Sequence, residues 1–319
     1  MNSGVQDGAA GHACAGSRRW RGRAIQWLIP IYAFLIAGIS TVASVAPIVV
    51  VRNAPLRCAL AVMAPFTFTL SYVLVAGGLS RLTLRAMVPG KFPRDLQHPV
   101  YGPRRLYGVC WTAIYYFPLL YHAVLATPAL KGLTFRLFGY RGSLDFATYP
   151  DTWLRDLPLV TLGAGSYLSN KATISPNMCL NNGKILVAPV SIGAHSMVGH
   201  GTLIAPGVSI GQGSEIGVSG DIGVGVRIGD HSSVGHVVSL DHGAVIGSHC
   251  DIGSRAYVGQ KTIIHDGVRI PPGAVIPGKL ILRTQADVTL LLEVRTPPAI
   301  IHASSANPVF STAPMFLPE

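Results

Sequence analysis

SIGAHSMVGHGTLIAPGVSIGQGSEIGVSGDIGVGVRIGDHSSVGHVVSLDHGAVIG, Ser191 to Gly247, carries an aliphatic residue at every sixth position. Ile192, Val198, Ile204, Ile210, Ile216, Ile222, Ile228, Val234, Leu240 and Ile246 hold one phase. Extending the step adds Leu162, Leu168, Ile174, Leu180 and Leu186 upstream and Ile252, Val258, Ile264, Ile270 and Ile276 downstream. Aliphatics make up roughly a quarter of an ordinary chain, so an unbroken run of this length is an internal repeat and not chance. Glycine often follows the aliphatic (Gly193, Gly199, Gly211, Gly217), and a small or β-branched residue stands four places after it (Ser196, Thr202, Ser214, Ser232). An α-helix turns every ~3.6 residues, and a step of six wanders around it, so the pattern excludes a helix. It fits a three-sided prism in which each hexad supplies one short strand and one corner. Residues one coil apart then stack at about 4.8 Å, the spacing of strands in a sheet. The expected fold class is mostly β, a left-handed parallel β-helix of hexapeptide repeats at 157–281. From Leu162 to Ile276 the phase never breaks, which predicts a smooth prism without inserted loops.

Downstream, IPPGAVIPGKLI (Ile270 to Ile281) puts prolines where the last strands must stop pairing. Residues 282–319 are expected to be a cap and a tail. Upstream the chain changes solvent. Hydrophobic residues are 49% of the sequence and charged residues 12%, and the excess lies at 25–80. Ile25 to Val51 and Cys58 to Leu79 are uncharged and long enough, at about 20 residues, to cross hydrocarbon, which predicts a two-helix transmembrane hairpin. A cleaved signal peptide would have a shorter apolar core and no second span behind it.

Arg18, Arg19, Arg21 and Arg23 precede the first span, and Arg81, Arg85, Lys91, Arg94, Arg104 and Arg105 follow the second, with only Arg52 and Arg57 between the spans. The positive-inside rule then places both flanks, and the β-helix, on the cytoplasmic side of the inner membrane. Residues 1–24 read as a disordered basic tail, and 81–156 as a membrane-proximal helical connector. Within that connector, 107–130 is apolar but holds Pro118, His122 and Pro128. It is expected to lie in the interface, with Trp111, Tyr115, Tyr116 and Phe117 at headgroup depth. A spanning segment there would move the prism to the other side.

The net charge of +11 invites a nucleic-acid reading, but no aromatic-basic RNA signature, recognition helix or zinc-finger spacing accompanies it. Membrane lipid is the expected partner, and nucleic acid is not. Cys14, Cys58, Cys110, Cys179 and Cys250 are scattered with no CxxC pair, which predicts free thiols in a reducing compartment.

The repeat resembles the hexapeptide-repeat acyltransferases over roughly residues 160–281. That resemblance implies a homotrimer taking its acyl group from acetyl-CoA, another acyl-CoA or acyl carrier protein, without a metal. The acceptor class would be a saccharide, a lipid precursor or a peptide-like metabolite. A second resemblance, to membrane-linked terminal domains of nonribosomal peptide synthetases, rests on HPVYG (His98 to Gly102), ATPALKGLTFRLFGYRG (Ala126 to Gly142) and LPLVTLGAGSYLS (Leu157 to Ser169). The run NMCLNNGK (Asn177 to Lys184) lacks the histidines and acids those domains carry there.

Acyl transfer from a thioester needs a base for the acceptor and donors for the oxyanion. LDHGAVIG (Leu240 to Gly247) is similar to the catalytic stretch of the sugar acyltransferases of this fold, which makes His242 the first candidate base and Asp241 a candidate to orient it. Gly243 stands where that family often has an acidic or amide residue. His200 and His236 share one hexad position and, 36 residues apart, one column; either is a candidate base or polar contact. His195, His231 and His249 form a column at another corner. Gly243 and Lys261 are candidates to hold the donor. A gamma-class carbonic anhydrase, a zinc enzyme with a similar prism, has H-x4-H spacing; His236 and His242 have one residue more between them. A non-catalytic scaffold for a membrane-associated biosynthetic complex is the alternative.

Overall fold

The computed structural model describes the backbone of residues 7–295 and the side chains of 25–294. The side chains of the expected basic tail, 1–24, and the far part of the expected C-terminal tail lie outside the described residues. Two long helices come first, α1 (Asp7–Val50) and α2 (Ala54–Arg81). Ile25–Val50 and Ala54–Arg81 have mean hydropathies of 2.2 and 1.9 and are long and apolar enough to cross a membrane. Asn53 starts α2: its side-chain oxygen accepts the Leu56 amide at 3.1 Å, which satisfies one of the amides a helix start leaves without a partner.

Three shorter helices follow: α3 (Tyr101–Tyr115), α4 (Pro118–Ala126) and α5 (Pro128–Leu137). The chain bends by 83° between α3 and α4, where Pro118 cannot donate back to the preceding turn. Here one expectation is corrected. Trp111 does not present its ring to the surroundings of the protein; it is 1% exposed inside it. Its ring meets those of Phe138, Phe135 and Tyr121 at 5.2, 5.9 and 6.1 Å, and its indole N–H donates to the Leu154 carbonyl at 2.7 Å. Helical periodicity turns this face toward the prism, so Trp111 is the bolt between the connector and the first coils. Tyr116, on the other side, is 70% exposed.

The second half is a parallel β-solenoid with three sheets of seven strands each. Strand pairs such as Val198↔Ile216, Ile204↔Ile222 and Ile210↔Ile228 lock residues 18 apart into columns, as the repeat predicts. The aliphatic of each hexad points to the axis: Leu168, Ile174, Val198, Ile204, Ile216 and Ile222 are all fully buried. The small residue four places on is buried too, and its hydroxyl links coils. Thr202 Oγ1 donates to the Gly217 carbonyl at 2.7 Å and accepts the Gly220 amide at 3.1 Å. Ser196, Ser214 and Ser232 repeat the first of these bonds, at 2.6, 2.7 and 2.8 Å, each to the carbonyl 15 residues on. Thr202→Val, which keeps volume but removes the hydroxyl, should cost about 1–3 kcal/mol by leaving two buried backbone groups without a partner. Chemical denaturation of the full chain in detergent would measure it.

The prism is not smooth, and this is the second correction. Leu162, Leu168 and Ile174 pair with Ile192, Val198 and Ile204, 30 residues on, where Ile192 pairs with Ile210, 18 residues on. The 12 extra residues leave the prism as an antiparallel hairpin, Asn177–Cys179 against Lys184–Val187, and the latter strand pairs with Gly90–Pro93 of the connector. Leu180 and Leu186, in phase with the repeat, are therefore half-buried hairpin residues and not axial ones. Twelve is two hexads, so the excursion leaves the count of six intact.

The last coil is closed by α6 (Gln285–Arg295), whose Val288 is 1% exposed. The Gln285 amide takes the place of a further strand: it donates to the Arg269 carbonyl at 3.0 Å while its oxygen accepts the Arg269 amide at 2.9 Å. The edge of the sheet is thereby covered. Asp287 accepts the amides of Arg283 and Thr284 at 2.8 and 2.9 Å, which fixes the start of the helix and holds its carboxyl below the usual carboxylate range.

Candidate functional site

Each coil has three corners, and the hexad phase distributes the histidines among them. His200 and His236 occupy the corner between the first and second faces, with Val218 between them in the column. His242 occupies the corner between the second and third faces, so the candidate bases do not form one cluster. His195, His231 and His249 occupy the remaining corner, where each adopts a left-handed backbone (φ 54 to 56°). The rings of His231 and His249 stack with centroids 5.4 Å apart.

The His242 corner gathers four of the predicted residues. The Lys261 amide donates to the His242 carbonyl at 3.0 Å, one coil on. Gly243 and Lys261 share a column, both with left-handed backbones at φ 72° and 57°, and a Cβ at Gly243 would stand 3.5 Å from Lys261 Cγ. The position next to His242 therefore keeps the backbone turn by being glycine, while the next coil accepts the same conformation as a lysine.

Asp241 touches the backbone before it touches the ring. Its Oδ1 accepts the His242 amide at 2.6 Å, while His242 Nδ1 lies 3.7 Å from the same oxygen. Nδ1 instead accepts the Val224 amide, one coil back, at 3.0 Å. A ring nitrogen that accepts from an amide carries no proton, so in the neutral ring the proton sits on Nε2. His236 is held the same way, Nδ1 accepting the Val218 amide at 3.0 Å. His200 makes no side-chain hydrogen bond among the described residues. The His242 side chain is 61% exposed and that of Asp241 32%.

Tyr257 was not anticipated from the sequence. Its hydroxyl donates to Asp241 Oδ2 at 3.2 Å, and the neighbouring carboxylate pushes the phenol pKa up. The signal was present: Tyr257 is the outward residue of the next coil's strand, in the column of Ser239, two residues before Asp241. Exposed apolar side chains flank the same corner, Leu203, Tyr257 and Val275 on the second face and Ile263 and Ile281 on the third, each 36–52% exposed.

A concavity of about 750 Å³ runs between α6 and the corner that follows His236 in its column, lined by Gly235, Ser254, Arg269, Pro272, Val288 and Glu293. Among the described residues no group of three or more His, Cys, Asp or Glu is placed to hold a metal ion.

No family model matches the chain, and no curated protein matches it. Solved structures do resemble it in part. A hexapeptide transferase family protein from Anaplasma phagocytophilum shares 14% identity over 42% of this chain and 86% of its own, with a TM-score of 0.27. GDP-perosamine N-acetyl transferase from Caulobacter crescentus, in complex with CoA and GDP-perosamine, shares 17% over 48% of this chain and 60% of its own, TM-score 0.28. UDP-N-acetylglucosamine O-acyltransferase from Moraxella catarrhalis shares 19% over 43% and 55%, TM-score 0.30. At these identities and scores the likeness is one of repeat architecture and carries nothing about chemistry.

Proposed function

We propose that this chain is a membrane-anchored acyltransferase that moves an acyl group from acetyl-CoA, another acyl-CoA or acyl carrier protein to a hydroxyl or amine, with His242 as general base. The supporting observation is the Asp241–His242 corner, where a carboxylate steadied by Tyr257 lies 3.7 Å from the imidazole. In the protomer His242 presents Nε2–H. When the ring turns away from the Val224 amide and toward Asp241, Nδ1 takes a proton from water and Nε2 gives one up to it, so that Nδ1–H donates to the carboxylate and Nε2 is free to accept one. Nε2 then takes the acceptor's proton as its oxygen or nitrogen attacks the thioester carbonyl, and returns it to the leaving thiolate when the tetrahedral intermediate collapses. Gly243 and Lys261 line the route a donor would take past this corner. His200 and His236, at the other corner, are kept as a polar contact.

Assembly as a homotrimer through the apolar faces flanking the corner would bury Leu203, Tyr257, Val275, Ile263 and Ile281 and place His242 between subunits. The two apolar helices would anchor the trimer, with the basic flanks and the prism in the cytoplasm. A non-catalytic scaffold is the competing reading, favoured by the use of His242 and His236 as staples between coils. Calorimetric titration of the full chain in detergent separates the two. Saturable binding of acetyl-CoA or a longer acyl-CoA, one per protomer, is the expected result; no binding of any donor leaves the scaffold.

A further inference from the structure

Where the connector meets the prism, a pocket of about 140 Å³ is lined by Arg94, Arg104, Arg105, Arg155, Asp156 and Asn177. Four guanidiniums share it with a single carboxylate, and that carboxylate is already occupied: Asp156 Oδ2 accepts from both Arg104 Nη2 and the Asn177 side-chain amide. Arg104 is 6% exposed. Its other terminal nitrogen, Nη1, is buried and has no hydrogen-bond partner in the protein. A buried guanidinium N–H without an acceptor is costly, and such groups in native folds are commonly paired with something.

We propose that this pocket binds a phosphoryl group. The guanidinium fork matches two phosphate oxygens at once, and several arginines around one anion is the arrangement that recognises phosphate. The pocket, about 140 Å³, has room for one phosphoryl group. The site stands apart from the His242 corner and does not depend on acyl transfer.

Its place in the molecule points to where the phosphoryl group comes from. Gly102, two residues before Arg104, packs so closely on Ile25 that an added Cβ would lie 2.4 Å from the Ile25 side chain. Ile25 is the first residue of the apolar span Ile25–Val50. A pocket at the end of an apolar span, with exposed Arg94 and Arg105 on its rim, sits at the level of lipid headgroups. A phosphate monoester of a lipid and a free phosphate or pyrophosphate present the same chemistry, and binding tells them apart.

Full-length protein in dodecyl maltoside would be titrated with inorganic phosphate, pyrophosphate and dihexanoyl phosphatidic acid below its micelle concentration, by calorimetry and thermal shift. Saturable binding of at least one probe is expected, weakened tenfold or more in Arg105→Ala and in Arg94→Ala. These exposed residues lie on different elements, so one variant suffices if the other folds poorly. Binding of phosphatidic acid alone identifies a lipid headgroup site, and binding of phosphate or pyrophosphate a soluble ligand. No saturable binding of any probe, or binding unchanged in both variants, overturns the proposal.

Discussion

His242→Ala is expected to lower the rate of acyl transfer by roughly 10²–10⁴-fold, the range a positioned general base contributes, equivalent to about 3–5 kcal/mol in the barrier. Donor binding should be retained, because the imidazole acts on the acceptor's proton. Stability should change little: the side chain is 61% exposed and its single staple, from the Val224 amide, returns to water. Asp241→Asn gives the companion result. It keeps an oxygen near the ring but removes the charge that steadies an imidazolium, so kcat should fall with KM unchanged. Tyr257→Phe, which removes a hydrogen bond from the far oxygen of the same carboxylate, should have a smaller effect in the same direction. Steady-state kinetics on purified chain with each variant would read all three. Full activity in His242→Ala would exclude this residue as the base and transfer the role to His236, held in the same way one corner earlier.

Asp156→Ala should be the most destabilising single change outside the axial column. It leaves the buried guanidinium of Arg104 and the Asn177 amide without their shared acceptor, and removing one member of a buried ion pair typically costs about 3–5 kcal/mol. Alanine also inherits a left-handed backbone, φ 51°, which aspartate and asparagine tolerate better because their short polar side chains hydrogen-bond locally. Asp156→Asn separates the two contributions, since asparagine tolerates that conformation and lacks only the charge. Because Arg104 belongs to α3 and Asp156 leads into the first coils, the loss should appear first as faster amide exchange in α3. Thermal melts with site-resolved hydrogen exchange would measure both. A melting temperature equal to that of the parent chain would show that the pair contributes nothing net.

The two predictions draw on different kinds of legibility. Counting placed His242 at a corner position, as it did His200 and His236, and the resemblance of LDHGAVIG to sugar acyltransferases set it first among them. Asp156 was not legible in this way: it lies before the first counted aliphatic, and its partners at 104 and 177 are 52 and 21 residues away. Which atom of Asp241 meets which atom of His242 was also beyond the sequence. At the corner turn the carboxylate accepts the His242 amide, and the ring turns to the preceding coil.

By itself the sequence determined the solenoid, the columns of residues 18 apart, the cap at the C-terminal end and the two apolar helices. Each of these follows from a period or a run, and periodic burial is a local rule that every repeat obeys independently. Only the tertiary structure decided that two hexads leave the prism at 177–187 to pair with Gly90–Pro93, since an excursion of a whole number of hexads does not shift the phase. It also decided that Trp111 faces protein and not lipid, because one apolar stripe on a helix suits either surroundings. Which of them covers it depends on how the connector docks on the first coils, and that is set by contacts between segments far apart in the chain.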